Sequence, residues 1–231
     1  MCNLYSQTKS QDAMRHVFDD MRGDDEDLVD LTGNLPPMTG IFPDYPAPIV
    51  RVVDGERELA VARWGMPSPV FALKGRATDP GVTNVRNTAS PHWRRWLGVE
   101  NRCIVPWTSF SEYETTAEGR KQPVWFALDE SRPLAAFAGI WTRWTSVRKA
   151  KEGEVTADVF AFLTTEPNAE VGAVHPKAMP VVLTSREEVE TWLRAPATEA
   201  LGLQRPLPDG ALRIVSRGGK QDGPSLGEKS L

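Results

Sequence analysis

The segment RCIVPWTSFSEYE (residues 102–114) concentrates Val, Ile, Trp, Phe, Thr and Tyr in a stretch with no helical repeat. β-Branched and aromatic side chains pack well on a pleated surface, so the segment reads as strand. Three more of the same kind follow, QPVWFALD (122–129), LAAFAGIWTRW (134–144) and DVFAFLTT (158–165), separated by polar turns. Upstream, IVRVVD (49–54) and RELAVARWGM (57–66) are two strands joined at Asp54-Gly55, a dipeptide that favours a tight hairpin turn. ALRIVS (211–216) adds a late strand. Helical segments lie between. SQTKSQDAMRHVFDD (6–20) places Ala13, Met14, Val17 and Phe18 on one face. SPHWRRWLG (90–98) and PNAEVGAVH (167–175) are short, and SREEVETWLRA (185–195) opens with Ser185 and Glu188 at capping-box spacing. The Pro- and Gly-rich stretch GNLPPMTGIFPDYPAPIV (33–50) is expected to be an extended surface loop. No repeat or composition break divides the chain. The expectation is a single α+β domain over residues 1–216, with a curved, barrel-like antiparallel β-core and peripheral helices. The Gly/Ser/Lys-rich residues 217–231 are expected to be a disordered tail.

With 231 residues, 40% hydrophobic and 25% charged, the composition is that of an ordinary globular protein. No run of about 18 apolar residues is present, and the first residues lack the basic-then-apolar layout of a signal peptide. The expectation is a cytoplasmic protein with reduced thiols and no membrane segment. Two cysteines exclude a disulfide framework and a cysteine-based zinc site, and no cofactor or metal is expected. The net charge of −4 is unevenly placed. Residues 19–30 hold seven acids and one base, and the rest of the chain then has 24 acids and 26 bases, a net of +2. Charge therefore permits a nucleic-acid partner without indicating one.

Cys2 stands directly behind the initiator methionine, which is commonly removed when the next residue is small. The chain would then begin with an amine and a thiol on one residue. An α-amine has a pKa near 7.7–8.0, so roughly a tenth or more is neutral at pH 7. It can condense with an aldehyde to an imine, and the adjacent thiol can close onto the imine carbon to give a five-membered thiazolidine, helped by the effective molarity of an intramolecular step. The other reading is that Cys2 is a small residue in an N-terminal strand. Cys103, between Arg102 and Ile104, reads as a buried structural thiol. Asn84 and Arg86 share a face if extended, and an amide beside a guanidinium suits a phosphate or a sugar. Glu112 lies on the opposite face from Tyr113 in an extended segment, and His175 lies in a loop before an apolar strand; strand Glu and loop His are usual acid–base groups. Each also has a plain reading as a solvated side chain. His16 reads as helix surface and His92 as helix start.

Taken in order, these segments resemble the SOS response-associated peptidase (SRAP) family of abasic-site processing proteins. The resemblance rests on Met1-Cys2, the Asn34–Pro37 loop, Trp64-Gly65, Asn84-Val85-Arg86, Arg102–Pro106, Phe110-Ser111-Glu112, Phe137–Trp141, Phe162–Thr165 and His175…Met179-Pro180. It runs from residue 1 to about 216. It implies a single α+β domain with a positively charged channel for single-stranded DNA containing abasic sites, and a thiazolidine formed between Cys2 and the ring-opened sugar. It further implies that Asn84 holds the sugar, Arg86 meets the neighbouring phosphate, Glu112 assists sugar opening and ring closure, and His175 moves protons. Removal of Met1 by the protein itself is the peptidase activity the family name implies. Asn34, Trp64, Tyr113 and Lys177 are implied to line the DNA channel. A monomer is expected, associated with the nucleoid when bound to DNA.

The chain departs from the family pattern at Asn3 and Leu4, where Gly-Arg is usual, so a phosphate contact is missing. Tyr113 replaces a common Trp, and Lys177 only approximates an Arg because the His175–Pro180 stretch is one residue longer. Two other functions compete: an N-terminal-nucleophile amidohydrolase using Cys2, and a non-catalytic DNA- or protein-binding module. The other tryptophans (93, 96, 107, 125, 141, 144 and 192) read mainly as core.

Overall fold

The segment 102–114 forms two strands, and the break at Thr108 carries the chain from one sheet into another. The computed structural model describes residues 2–20 and 28–222, the side chains of 16–20 excepted. Along the chain run β1 (Tyr5–Gln7), α1 (Gln11–Asp20), β2 (Val29–Asp30), β3 (Met38–Ile41), β4 (Pro46–Val53), β5 (Glu56–Trp64), α2 (Val70–Leu73), β6 (Asn84–Val85) and α3 (Pro91–Arg94). Next come β7 (Arg102–Trp107), β8 (Ser109–Thr115), β9 (Lys121–Ala127), β10 (Ala135–Val147), β11 (Glu154–Thr165) and α4 (Ala169–Gly172). The chain continues through β12 (Met179–Pro180), β13 (Val182–Leu183), α5 (Arg186–Arg194), α6 (Ala197–Ala200) and β14 (Arg213–Arg217).

Five strands in the order β11-β10-β7-β4-β5 are antiparallel neighbours, and a parallel pairing of β5 with β11 (Arg63 opposite Val159, Trp64 opposite Phe160) closes them into a barrel. The curved, barrel-like core expected from the sequence is present. A second sheet, β14-β9-β8-β1-β3, packs beside it and holds the first strand of the chain between β8 and β3. Strand alternation sorts the core. Ile49, Ala62, Trp64, Val105, Trp107, Phe137, Phe160 and Phe162 join Cys2, Tyr5, Phe110 and Phe126 in one cluster. Val50, Leu59, Ile104, Ala138, Ala161 and Leu163 join Met14, Trp93, Val189 and Trp192 of the helices, and Trp96 just past α3, in another. Burying each large apolar side chain contributes about 1.5–3 kcal/mol. Trp192 Nε1 donates to the carbonyls of Cys103 (2.8 Å) and Gly139 (3.0 Å), which fixes α5 on β7 and β10. A Cβ on Gly139 would stand 2.9 Å from Cys103 Sγ and from a methyl of Val105, so this close approach needs glycine.

The hairpin turn forms as expected, with Asp54 and Gly55 both at positive φ (52° and 89°). Ser185 Oγ accepts from the Glu188 amide, while the Glu188 carboxylate accepts from Thr184 rather than from Ser185. Three expectations need correction. The helix expected from Ser6 starts only at Gln11, because Tyr5–Gln7 pairs with β8 and β3. The loop expected over 33–50 contains β3 and the start of β4, whose prolines are tolerated because Pro46 and Pro48 precede the part of β4 that pairs with β7. The tail expected from 217 is placed as far as Asp222, which is buried; residues 223–231 lie outside the described residues. So do the side chains of His16, Val17 and Phe18, and the acidic residues 24–27.

Asp222 explains why the chain is held there. Its carboxylate accepts from Arg132 Nε (2.7 Å), Arg132 Nη2 (2.8 Å) and Ser109 Oγ (2.6 Å). Ser109 Oγ lies 2.7 Å from Ser6 Oγ, so the last described residue is tied to the first strand. The Arg132 guanidinium is held above its usual pKa chiefly by the hydrogen bonds to Asp222. Removing one partner of a bidentate buried pair leaves the other uncompensated. Asp222→Ala should therefore destabilise the fold by about 2 kcal/mol, lowering Tm by roughly 5 °C. A variant that melts with the parent would show that this seam contributes nothing.

Candidate functional site

Cys2 precedes β1 and is wholly buried. The β1–β8 pairing extends toward it, since the Ser111 amide donates to the Leu4 carbonyl at 2.8 Å. Cys2 Sγ donates to that same carbonyl at 3.4 Å. Asn84, in β6 beside β11, donates through Nδ2 to the Cys2 carbonyl at 2.7 Å. Glu112 on β8 is buried on the face shared with Phe110 and Val124, while Tyr113 is half-buried on the other face opposite Pro123. His175 follows α4, whose helical turn is closed by the Val171 carbonyl accepting from the His175 amide at 2.7 Å. His175 Nδ1 stands 3.8 Å from Glu112 Oε2, close beside it though beyond direct hydrogen-bonding distance. Four residues far apart in sequence are thereby gathered at the start of the chain.

Burial sets the protonation states. It pushes the Cys2 thiol well above its ordinary pKa, and the nearby Glu112 charge adds to the shift, so the neutral thiol is the resting form. Burial raises the Glu112 carboxyl from 4.5 to about 7. Burial also lowers His175, and the positive charges of Lys177 and Lys121 add to that effect. The group thus offers a carboxyl poised near neutral pH and an imidazole kept neutral there, the states suited to moving protons.

The DNA-binding candidates are more dispersed. Arg86 is exposed and ion-paired with Glu166 at 3.2 Å, and its carbonyl accepts from Gln204 Nε2. Asn34 and Lys177 are exposed in loops. Trp64 is a correction: it is 0% exposed, packed against Tyr5, Phe160 and Phe162, and cannot line a channel. Its indole N–H donates to the Thr83 carbonyl at 3.0 Å, so it supports the strand carrying Asn84 from beneath. Leu4 is buried, as its apolar character requires, and so makes no contact with a phosphate. Sequence reasoning missed Thr83, whose hydroxyl bridges Asn84 and Asn3. It also missed Thr164, a buried hydroxyl on β11 with no hydrogen-bond partner among the described residues. Strand alternation puts Thr164 on the face of Phe162, the residue opposite Asn84, and that was the available signal. A cavity of about 600 Å³ lined by Asp44, Tyr45, Arg63 and Lys149 shares no residue with this group, and its charges pair with one another. Among the described residues no cluster of His, Cys, Asp or Glu is arranged to hold a metal, and no helix is long and apolar enough to cross a membrane.

Fold and site together define a barrel-and-sheet protein that gathers a thiol, a carboxyl and an imidazole at the start of its own chain. The chain belongs to the SOS response associated peptidase (SRAP) family, whose model matches residues 1–216. It is 32% identical over 149 residues to the abasic site processing protein YoqW of Bacillus subtilis (strain 168), covering 63% of this chain and 62% of that protein. To the abasic site processing protein YoaM of the same strain it is 33% identical over 149 residues, covering 63% and 61%. The matched part thus spans about three fifths of these relatives' length. Among solved structures, one from Bacteroides thetaiotaomicron superposes with a TM-score of 0.64 at 22% identity over 92% of this chain and 90% of that one. Another, from Bordetella bronchiseptica, gives 0.63 at 25% identity over 94% and 98%.

The raised Glu112 pKa has a consequence for stability. The fold favours the protonated carboxyl, so the associated stability is fully present below about pH 4.3, the unfolded value, and is lost as pH rises through about 7. The full difference is on the order of 3 kcal/mol. Glu112→Gln lacks this dependence. Its stability relative to the parent should therefore improve progressively between pH 4 and pH 8 in urea melts, and parallel pH profiles would refute the burial argument.

Proposed function

We propose that this protein captures abasic sites in single-stranded DNA covalently through Cys2, once Met1 is removed, and so shields the strand from cleavage during the response to DNA damage. The observation that carries the reading is the meeting of Cys2 with Asn84, Glu112 and His175 in a chain of this family. The names of the Bacillus relatives support abasic-site processing. Met1 itself lies outside the described residues, so self-cleavage remains part of the proposal.

An abasic sugar is mainly a closed hemiacetal, and only the open form presents an aldehyde. Glu112, with its pKa near neutrality, relays a proton from the sugar hydroxyl to the ring oxygen and so opens the ring. The Cys2 amine adds to the aldehyde carbon. The resulting carbinolamine loses water: its hydroxyl leaves with the proton of the protonated Glu112 carboxyl, the nitrogen gives its remaining proton to the neutral His175 imidazole, and an imine remains. The Cys2 thiol, held neutral by burial, then gives its proton to the carboxylate. Sulfur bonds to the imine carbon, the C=N electron pair moves to nitrogen, nitrogen takes a proton, and the thiazolidine is closed. Asn84 holds the sugar, and Arg86, Tyr113, Lys177 and Asn34 contact the strand.

Protein mixed with an abasic single-stranded oligonucleotide should gain the oligonucleotide's mass on intact-mass measurement, while Cys2→Ala gains nothing stable. Glu112→Gln should slow single-turnover crosslinking about 10²–10⁴-fold with DNA binding near normal. An equally stable adduct from Cys2→Ala would eliminate the nucleophile, and failure of the parent to bind single strands would favour the amidohydrolase.

Salt dependence tests the DNA surface separately. One lost phosphate contact lowers the slope of log affinity against log salt by about 0.7 for single strands. Arg86→Ala should show that change, and an unchanged slope would mean that Arg86 stays with Glu166 instead of moving to phosphate.

A further inference from the structure

Asn84 Nδ2 has two hydrogens and two acceptors, the Cys2 carbonyl and Thr83 Oγ1, each at 2.7 Å. The Thr83 hydroxyl, accepting from Asn84, donates its own hydrogen to Asn3 Oδ1 at 2.9 Å. The direction of every bond in this relay is therefore determined, from Asn84 to Thr83 to Asn3 on one branch and from Asn84 to Cys2 on the other. A lone bond to Cys2 would leave the carboxamide free to swing about its side-chain torsions. The second bond removes that freedom and directs Asn84 Oδ1 away from the Cys2 carbonyl. That oxygen is buried and has no hydrogen-bond partner among the described residues. It stands as an oriented acceptor beside the reacting residue. Asn3 and Thr83 occupy the two chain segments that meet here, one flanking Cys2 and the other flanking Asn84, and Trp64 holds the Thr83 backbone from below.

We infer that Thr83 and Asn3 are positioning residues for the capture reaction: through Asn84 they set the orientation of Cys2 toward an aldehyde held on DNA. The inference rests on the proposed capture chemistry. It extends that chemistry to two residues that touch neither the sugar nor the thiol.

The test compares the parent with Thr83→Val, Thr83→Ser and Asn3→Ala, all beginning at Cys2. Valine keeps the shape of threonine and removes the hydroxyl, so one hydrogen bond of orientation is lost. Single-turnover crosslinking to an abasic oligonucleotide should fall about three- to tenfold in Thr83→Val, with oligonucleotide affinity and Tm near the parent's. Thr83→Ser should restore the rate, and Asn3→Ala should lower it about twofold, since water can accept from the freed hydroxyl. Glycolaldehyde, a small aldehyde not anchored to DNA, should react with parent and Thr83→Val at the same rate, because it can approach Cys2 in any orientation. Parent-like crosslinking in Thr83→Val, failure of serine to rescue, or an equal slowing with glycolaldehyde would each overturn the positioning role. A parent that forms no adduct refutes the capture reading itself and this inference with it, and that failure is visible in the parent arm alone.

Discussion

A first strand locked between two others is the constraint on which this molecule depends. β1 has β8 on one side and β3 on the other, so neither of its edges is open. The beginning of a chain is ordinarily its most mobile part. Here the Ser111–Leu4 backbone bond and the Asn84–Cys2 bond hold it from two directions. Cys2 is thus placed by the sheet, with no need for a long side chain to reach the site. The change of sheet at Thr108 has the same result from the other direction, for it brings Glu112 out of line with the barrel and alongside the chain start.

Burial then acts in opposite directions on two acids and a base. A low-dielectric environment disfavours every charged form, which raises a thiol and a carboxyl and lowers an imidazole. Cys2 and Glu112 move up and His175 moves down. The net result near neutral pH is a neutral thiol and a neutral imidazole beside a carboxyl that readily takes or gives its proton, and the cluster is uncharged when that carboxyl is protonated. Electrostatic cost is lowest in that state, which explains how a thiol, a carboxyl and an imidazole can share one buried neighbourhood.

The sequence revealed the strands better than their arrangement. Side-chain type and alternation identified β5, β9, β10 and β11, and Asp54-Gly55 located the hairpin turn because that turn needs two residues at positive φ. Periodicity could not show that RCIVPWTSFSEYE changes sheets, since Thr108 is as β-compatible as its neighbours. Prolines hid β3 and the start of β4, because their effect depends on which side of a strand is paired. Cys2, Asn84, Glu112 and His175 could be singled out as reactive types, yet their meeting depends on pairings such as Asn84 opposite Phe162 that no local pattern encodes. Trp64 was misplaced for a related reason. A large aromatic in a strand suits a core and a base-stacking surface equally well, and only the closure of the barrel decides between them. Thr83 and Asn3 were passed over because their importance lies in the direction of hydrogen bonds.

The seam from Ser6 through Ser109 to Asp222 and Arg132 also has a consequence in time. Its members lie far apart along the chain, so closing it carries the entropy of very long loops. On a ribosome, Ser6 and Ser109 emerge long before Asp222. The environment of the first strand is therefore complete only after Asp222 has been made. A chain released early would carry Cys2 without the carboxylate that anchors this seam. The order of synthesis thus couples the setting of Cys2 to a residue made much later, Asp222.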